Sequence, residues 1–213
     1  MSDSGAGQAG RPESSRTHRT IAGAPALTAL AHPTRLALIE AIGLSGALTA
    51  TQASGVVGES PTACAYHLRT LARLGFIEEA GGGRGRERPW QLAQSGMSIG
   101  DSDDPAAARA ARALSRVLTE RFIGRIRAFE LASSQFPEDV REATGTLQSV
   151  VFATPAELAE LRADVLALMS RYIDRIDPAR RPPGSHPFEM VTFIHVLDVV
   201  RPGGDDAPAT ANT

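Results

Sequence analysis

The sequence predicts a mainly α fold with a small β component (α+β), on three observations. Two helices start on capping residues only a few positions apart, at Thr49 and Ser60. A turn crowded with glycine and arginine follows them, between two short runs that favour strand. After Asp104, apolar residues recur at helical spacing for roughly seven turns.

In chain order, residues 25–31 and 33–42 place Leu27, Leu30, Leu36, Ile39 and Ile42 at helical intervals, with Pro33 breaking the run into two pieces. His32 stands at that break, where a structural histidine is expected and a proton or metal sensor is the alternative. Thr49-Ala50-Thr51-Gln52 is a capping box, and its helix should run through Ala53 and Val56 to stop at Gly58. Ser60 then offers a second N-cap and Pro61 fills the first helical position, where its missing N–H costs nothing.

The helix from Pro61 to about Leu74 splits into two faces. Cys64, Leu68 and Leu71 form a stripe that should bury against the preceding helices. Ser60, Thr62, Ala63, Tyr66, His67, Arg69, Thr70 and Arg73 remain for the outer side. Small residues near the N-terminus would let backbone approach base edges, with donors for bases and phosphates behind them. Gly75 should close the helix.

Residues 76–79 and 89–92 read as a strand pair around Gly81-Gly82-Gly83-Arg84-Gly85-Arg86-Glu87-Arg88. Arg84, Arg86 and Arg88 alternate, so all three could project to one side and lie along a phosphate backbone; a solvated turn is the alternative. Two capped helices and a basic hairpin in this order make a winged helix-turn-helix over residues 25–95, with double-stranded DNA as the expected partner.

These residues resemble ArsR-type winged-helix transcriptional regulators. The run Ala29-Leu30-Ala31-His32-Pro33-Thr34-Arg35-Leu36 is similar to their opening helix, and Tyr66-His67-Leu68-Arg69-Thr70-Leu71-Ala72-Arg73-Leu74-Gly75-Phe76-Ile77 to their recognition helix and following strand. Glu59-Ser60-Pro61 and Gly85-Arg86-Glu87-Arg88-Pro89-Trp90 resemble an actinobacterial branch with an extended helical C-terminal half. The resemblance covers about residues 25–95 and continues more loosely through Thr154-Pro155-Ala156-Glu157-Leu158. It implies a homodimeric repressor or activator on palindromic operator DNA, released by a signal.

Charge is divided unevenly. Residues 1–95 carry nine arginines and seven acids, +2, whereas residues 96–213 carry thirteen and seventeen, −4, so a nucleic-acid surface is expected only in the first part. All 22 basic side chains are arginine, a bias that a GC-rich genome explains better than guanidinium chemistry does. Residues 1–24 and 201–213 read as disordered; Arg11, Arg16 and Arg19 could touch phosphates, with a solvated tail as the plainer expectation. One cysteine excludes an intramolecular disulfide, and no run is long and apolar enough to span a bilayer or serve as a signal peptide, so a cytoplasmic location without membrane contact is expected.

Residues 104–200 read as a helical dimerisation and effector module with a small β pair. Asp104-Pro105 caps a long helix whose stripe runs Ala107, Ala111, Leu114, Leu118, Phe122, Ile126 and Phe129. Thr154-Pro155-Ala156-Glu157 caps another, with Leu158, Leu161, Val165, Leu168 and Tyr172 in a coiled-coil-like seam. A homodimer through Leu114, Leu118, Phe122, Ile126 and Phe129 is expected, and a helix pair within one chain is the alternative. Residues 147–152 and 188–200 read as strands apolar on both faces, which must be covered on both. Tyr172, Met190, Phe193 and His195 are candidates for lining an apolar effector pocket, against ordinary core.

No cofactor or metal set is expected. Cys64 and His67 stand at i and i+3, but a closed metal site needs about four ligands. Cys64 lies on the core stripe, where burial argues against a redox role. The five histidines are scattered without metalloenzyme spacing, and no nucleophile and base or paired carboxylates stand out, so an enzyme is not expected. A winged helix used only for protein contact would want an apolar or acidic outer face, where this one carries Tyr66, Arg69 and Arg73.

Overall fold

The computed structural model describes residues 18–81, 87–94, 96–100, 102–195 and 197, and over these residues the fold is mainly helical with two small sheets. Helices α1 (Ala24–Leu30) and α2 (Pro33–Ser45) are separated at His32, whose φ of −98° and ψ of 123° follow from the proline after it. Helix α3 (Ala50–Val57) opens on the capping box: Thr49 Oγ1 accepts from the Gln52 N–H at 3.2 Å, and Gln52 Oε1 accepts from the Thr49 N–H at 2.9 Å. It closes at Gly58, whose φ of 75° suits glycine. Helix α4 (Pro61–Arg73) starts on Ser60, whose hydroxyl accepts from the Ala63 N–H at 3.1 Å. Replacing Thr49 or Ser60 by alanine should each cost about 1 kcal/mol, read as a lower denaturant midpoint at unchanged m-value.

Helix α4 ends in a full Schellman motif. The Phe76 N–H donates to the Leu71 carbonyl at 3.0 Å and the Gly75 N–H to the Ala72 carbonyl at 2.9 Å, with Gly75 at φ 75°. The chain is thereby turned straight into strand β2 (Ile77–Glu79), which pairs antiparallel with the wing's return strand (Trp90–Leu92) in the register Ile77–Leu92, Glu78–Gln91, Glu79–Trp90. Leu48 and Trp90 exchange backbone hydrogen bonds at 3.0 and 2.8 Å, tying the approach to α3 onto the hairpin.

One continuous core sits under α4. Leu27, Leu30, Leu38, Cys64, Leu68 and Leu71 are fully enclosed, with Ile42, Phe76 and Ile77 around them. The long helix after Asp104, Pro105–Ala132, packs mainly on α1 and contributes Ala107 and Leu114 to this same core. Asp104 caps it, accepting from the Ala106 and Ala107 N–H groups. Leu114, expected on a dimer face, is 1% exposed inside its own chain, because the first turns of this helix cover α1 rather than a partner. Leu118 packs at the edge of that core, Phe122 and Phe129 are half-buried, and Ile126 is exposed.

Two further strands escaped the sequence reading. His18–Ile21 runs parallel to Gly96–Ile99, and Ile21 is buried at 2% exposure. Residues 18–21 are therefore a strand and not part of a disordered arm; their pairing lies 78 residues away in the chain, beyond any local signal. In chain order these strands are β1 and β4, with Trp90–Leu92 as β3 and the long helix as α5. The expectations for residues 1–17 and 201–213 lie outside the described residues.

The C-terminal half is helical but open. Helices α6 (Glu138–Ala143) and α7 (Pro155–Ser170) form, α7 on its Thr154 and Glu157 capping box. Neither buries a residue. In the seam expected on α7, Leu158 and Val165 are half-buried whereas Leu161, Leu168 and Tyr172 are exposed. The strands expected at residues 147–152 and 188–200 are absent among the described residues: both segments lack strand pairing, so their apolar side chains stay in solvent. The segment after α7 is docked by Arg181, which donates to the Gly43 and Leu44 carbonyls at the end of α2. Glu40 on α2 pairs with Arg121 and with Arg125 at 2.7 Å, and Arg125 also pairs with Glu189 at 2.5 Å.

Candidate nucleic-acid interface

Three enclosed side chains, Cys64, Leu68 and Leu71, hold α4 by one stripe, and that fixes what its other side presents. Thr62, Tyr66, Arg69 and Arg73 are exposed, and Tyr66 keeps 57% of its surface. Ala63, His67 and Thr70 are half-buried along the margins. Thr70 spends its hydroxyl proton on the Tyr66 carbonyl at 3.1 Å. Among the described residues Arg69 and Arg73 make no hydrogen bond or ion pair. At the N-terminus, Ser60 satisfies the Ala63 N–H and Pro61 has none, which leaves the Thr62 N–H for an incoming acceptor.

His67 faces inward. Its ring centroid lies 4.6 Å from that of His32 at the α1–α2 break, and Tyr66 meets it edge-on at 5.3 Å. The Nδ1 atoms of both histidines and Nε of Arg35 are buried without a partner, although Arg35 also donates to the Ala29 carbonyl at 2.9 Å. The fold thus joins two histidines that stand 35 positions apart in a sequence where the five look scattered. Burial holds the His67 imidazole below its usual value of 6.5, helped by the charges of His32 and Arg35 and opposed by Glu59. A lowered pKa favours the neutral ring in the folded state, so this contribution to stability is complete above pH 6.5 and is lost as pH falls from there through the folded value. His67→Gln should therefore lose less thermal stability than the parent between about pH 7.5 and pH 5.5. Identical acid-side losses in a calorimetric series would refute that assignment.

Burial, and secondarily Glu59, pushes the Cys64 thiol up from its ordinary value, which disfavours the thiolate needed for metal binding or oxidation. No group of three or more metal-ligating side chains occurs among the described residues.

Of the wing arginines, Arg84 and Arg86 lie outside the described residues. Arg88 sits beside the start of β3 and binds Glu79 at 2.9 Å, half-exposed, so a phosphate contact there would compete with a surface ion pair. Arg19 has a role the sequence did not signal. Its guanidinium donates to the Leu74 and Gly75 carbonyls at 3.0 and 3.2 Å and lies 5.3 Å from the Phe76 ring centre. It is a cationic cap on the C-terminal end of α4, where the helix dipole favours positive charge. No local pattern could reveal it, because the contact spans 55 positions.

The residues named as candidates for an effector pocket, with ordinary core as the other reading, neither enclose a pocket nor join the core. Tyr172, Met190, Phe193 and His195 are all exposed; the Arg175 guanidinium lies 4.9 Å from the Tyr172 ring centre, and Phe193 meets Phe122 edge-on at 6.3 Å. Two recesses lie elsewhere, one of about 410 Å³ between β4 and α5 and one of about 170 Å³ beside Phe76 and Leu92.

A family model described as a helix-turn-helix domain matches residues 30–80, the stretch from the end of α1 through β2. No curated protein matches the chain. The chain therefore carries a helix-turn-helix DNA-binding domain, and α4 is its second helix. Among the described residues no helix is long and apolar enough to cross a membrane.

Proposed function

We propose that this chain is a sequence-specific, DNA-binding transcriptional regulator of the ArsR-like winged type, a cytoplasmic homodimeric repressor on palindromic operator DNA. The observation that carries the reading is the division of α4 into a sealed stripe and an outer face holding Thr62, Tyr66, Arg69 and Arg73. In this reading the first turns of α4 enter a major groove, with Thr62, Ala63 and Tyr66 nearest the bases and Arg69 and Arg73 on phosphates. The wing arginines would follow the flanking backbone.

Helix α5 links the reading head to the C-terminal half through Glu40, Arg121 and Arg125. A signal that moves the C-terminal half would thereby reach α2 and, through the shared core, α4. An apolar effector would need a space that forms only when the C-terminal segments are covered. We read the chain as a binding protein and not an enzyme, on the absence of a catalytic spacing in the sequence. Mobility-shift titration against a selected duplex tests the reading: saturable binding lost on Tyr66→Ala supports it, and indifference to that substitution counts against it.

A further inference from the structure

Apart from Leu44, Val56, Tyr66 and Met97, every large apolar side chain that stays exposed among the described residues lies between Ile123 and Leu197. Leu147 is 100% exposed and Phe152 96%. Together with Val150, Val151, Phe188 and Phe193 they leave on the order of 800 Å² of apolar surface in water, taking ~150–250 Å² for a large side chain. Summed over the two segments, that equals one partner's share of a standard interface, ~800 Å².

The backbone is as unsatisfied as the side chains. Among the described residues, 145–153 and 186–195 exchange no backbone hydrogen bond with any other residue. Yet Leu147-Gln148-Ser149-Val150-Val151-Phe152 and Phe188-Glu189-Met190-Val191-Thr192-Phe193-Ile194 are among the most strand-prone runs of the chain. A strand-prone segment with unpaired backbone of this kind is a template for strand pairing.

Three features identify the occupant as a second copy. The later segment is anchored to its own α5 by the Glu189–Arg125 pair and the Phe193–Phe122 contact, whereas the earlier one leaves Leu147 and Phe152 almost wholly in solvent. Each copy thus supplies one seated segment and one free segment, which is what a twofold exchange requires. Charge agrees: with Arg121 and Arg125 already paired to Glu40 and Glu189, the other four arginines of α5 stand against two glutamates, +2, while α7 carries Glu157, Glu160 and Asp164 against Arg162, −2, and buries nothing. The area is sufficient, as above.

We infer that residues 147–152 of one copy pair as a strand with residues 188–195 of a second, with α7 laid over the exchanged sheet, so that the C-terminal half is completed only in the homodimer. This rests on the homodimer of the proposed function and specifies the backbone that makes it.

The test compares the full chain with Val150→Asp/Phe152→Asp by sedimentation and amide hydrogen exchange. Both side chains are exposed in the single chain, so the substitution leaves its core intact, and Trp90 emission reports that directly. The expected result is a parent at twice 22.4 kDa with amides 147–152 protected. The variant should be monomeric with those amides open, its dissociation constant raised at least 100-fold. A monomeric parent, a variant that stays dimeric, or protected amides in a monomer would each overturn the inference. Recovery of duplex DNA is scored separately: an exchanged dimer that binds no DNA would sink only the regulator, and a monomer that binds a half-site would sink the exchange and the homodimer while leaving DNA binding by α4 standing.

Discussion

Leu68→Ala is expected to lower the unfolding free energy by about 3–4 kcal/mol, the cost of a cavity where the site cannot collapse. Leu68 is fully enclosed at the centre of the stripe, between Cys64 and Leu71 and above the leucines of α1 and α2. Against a typical total of ~5–15 kcal/mol this is a large fraction, and a urea titration should show it as a lower midpoint. Tyr66→Ala, two positions away, should change stability by no more than about 0.5 kcal/mol, because its side chain is largely in solvent. Equal losses at the two positions would mean that the stripe and the outer face have been assigned to the wrong sides.

The second large effect is on binding. Arg69 and Arg73 are exposed and unengaged among the described residues, so nothing in the fold competes for their guanidinium groups. If each holds one phosphate, Arg69→Ala/Arg73→Ala should flatten the slope of log affinity against log salt by just under two units. Two charge-assisted contacts at about 1.5 kcal/mol each amount to roughly 100-fold in affinity at moderate salt. Arg88→Ala should do less, because Arg88 is already shared with Glu79. A slope unchanged in the double variant would remove both arginines from the phosphate contacts.

The N-terminal domain was legible because its signals are local. The capping box at Thr49, Ser60 and Pro61 at the start of α4, and Gly75 behind it each act within about five residues, and each appears where the pattern put it, as do the caps at Asp104 and Thr154 in the C-terminal half. The α4 stripe was equally readable, since helical period alone sorts Cys64, Leu68 and Leu71 from Tyr66 and Arg69. What escaped was long-range. β1 and β4 find each other across the whole domain, Arg19 reaches the end of α4 from a Ser/Gly-rich stretch, and His32 meets His67 only once α2 and α4 pack.

Misreadings in the C-terminal half have a different cause. Strand propensity at residues 147–152 and 188–195 is real, but a strand also needs a neighbour and a cover, and the single chain provides neither. Likewise the apolar stripe of α5 was correct as a period and wrong as one surface. Its first part, through Leu118, serves the core, and its later part at Ile126 does not.

Whether the outward side of α4 reads base sequence is decided by selecting bound duplexes from random DNA. The intact protein should enrich an inverted repeat with half-sites about one helical turn apart, and Tyr66→Ala or Arg69→Ala, folded to the parent's stability, should no longer enrich it. Failure of the parent to enrich any duplex, or enrichment of the same repeat by those variants, would contradict sequence reading by α4.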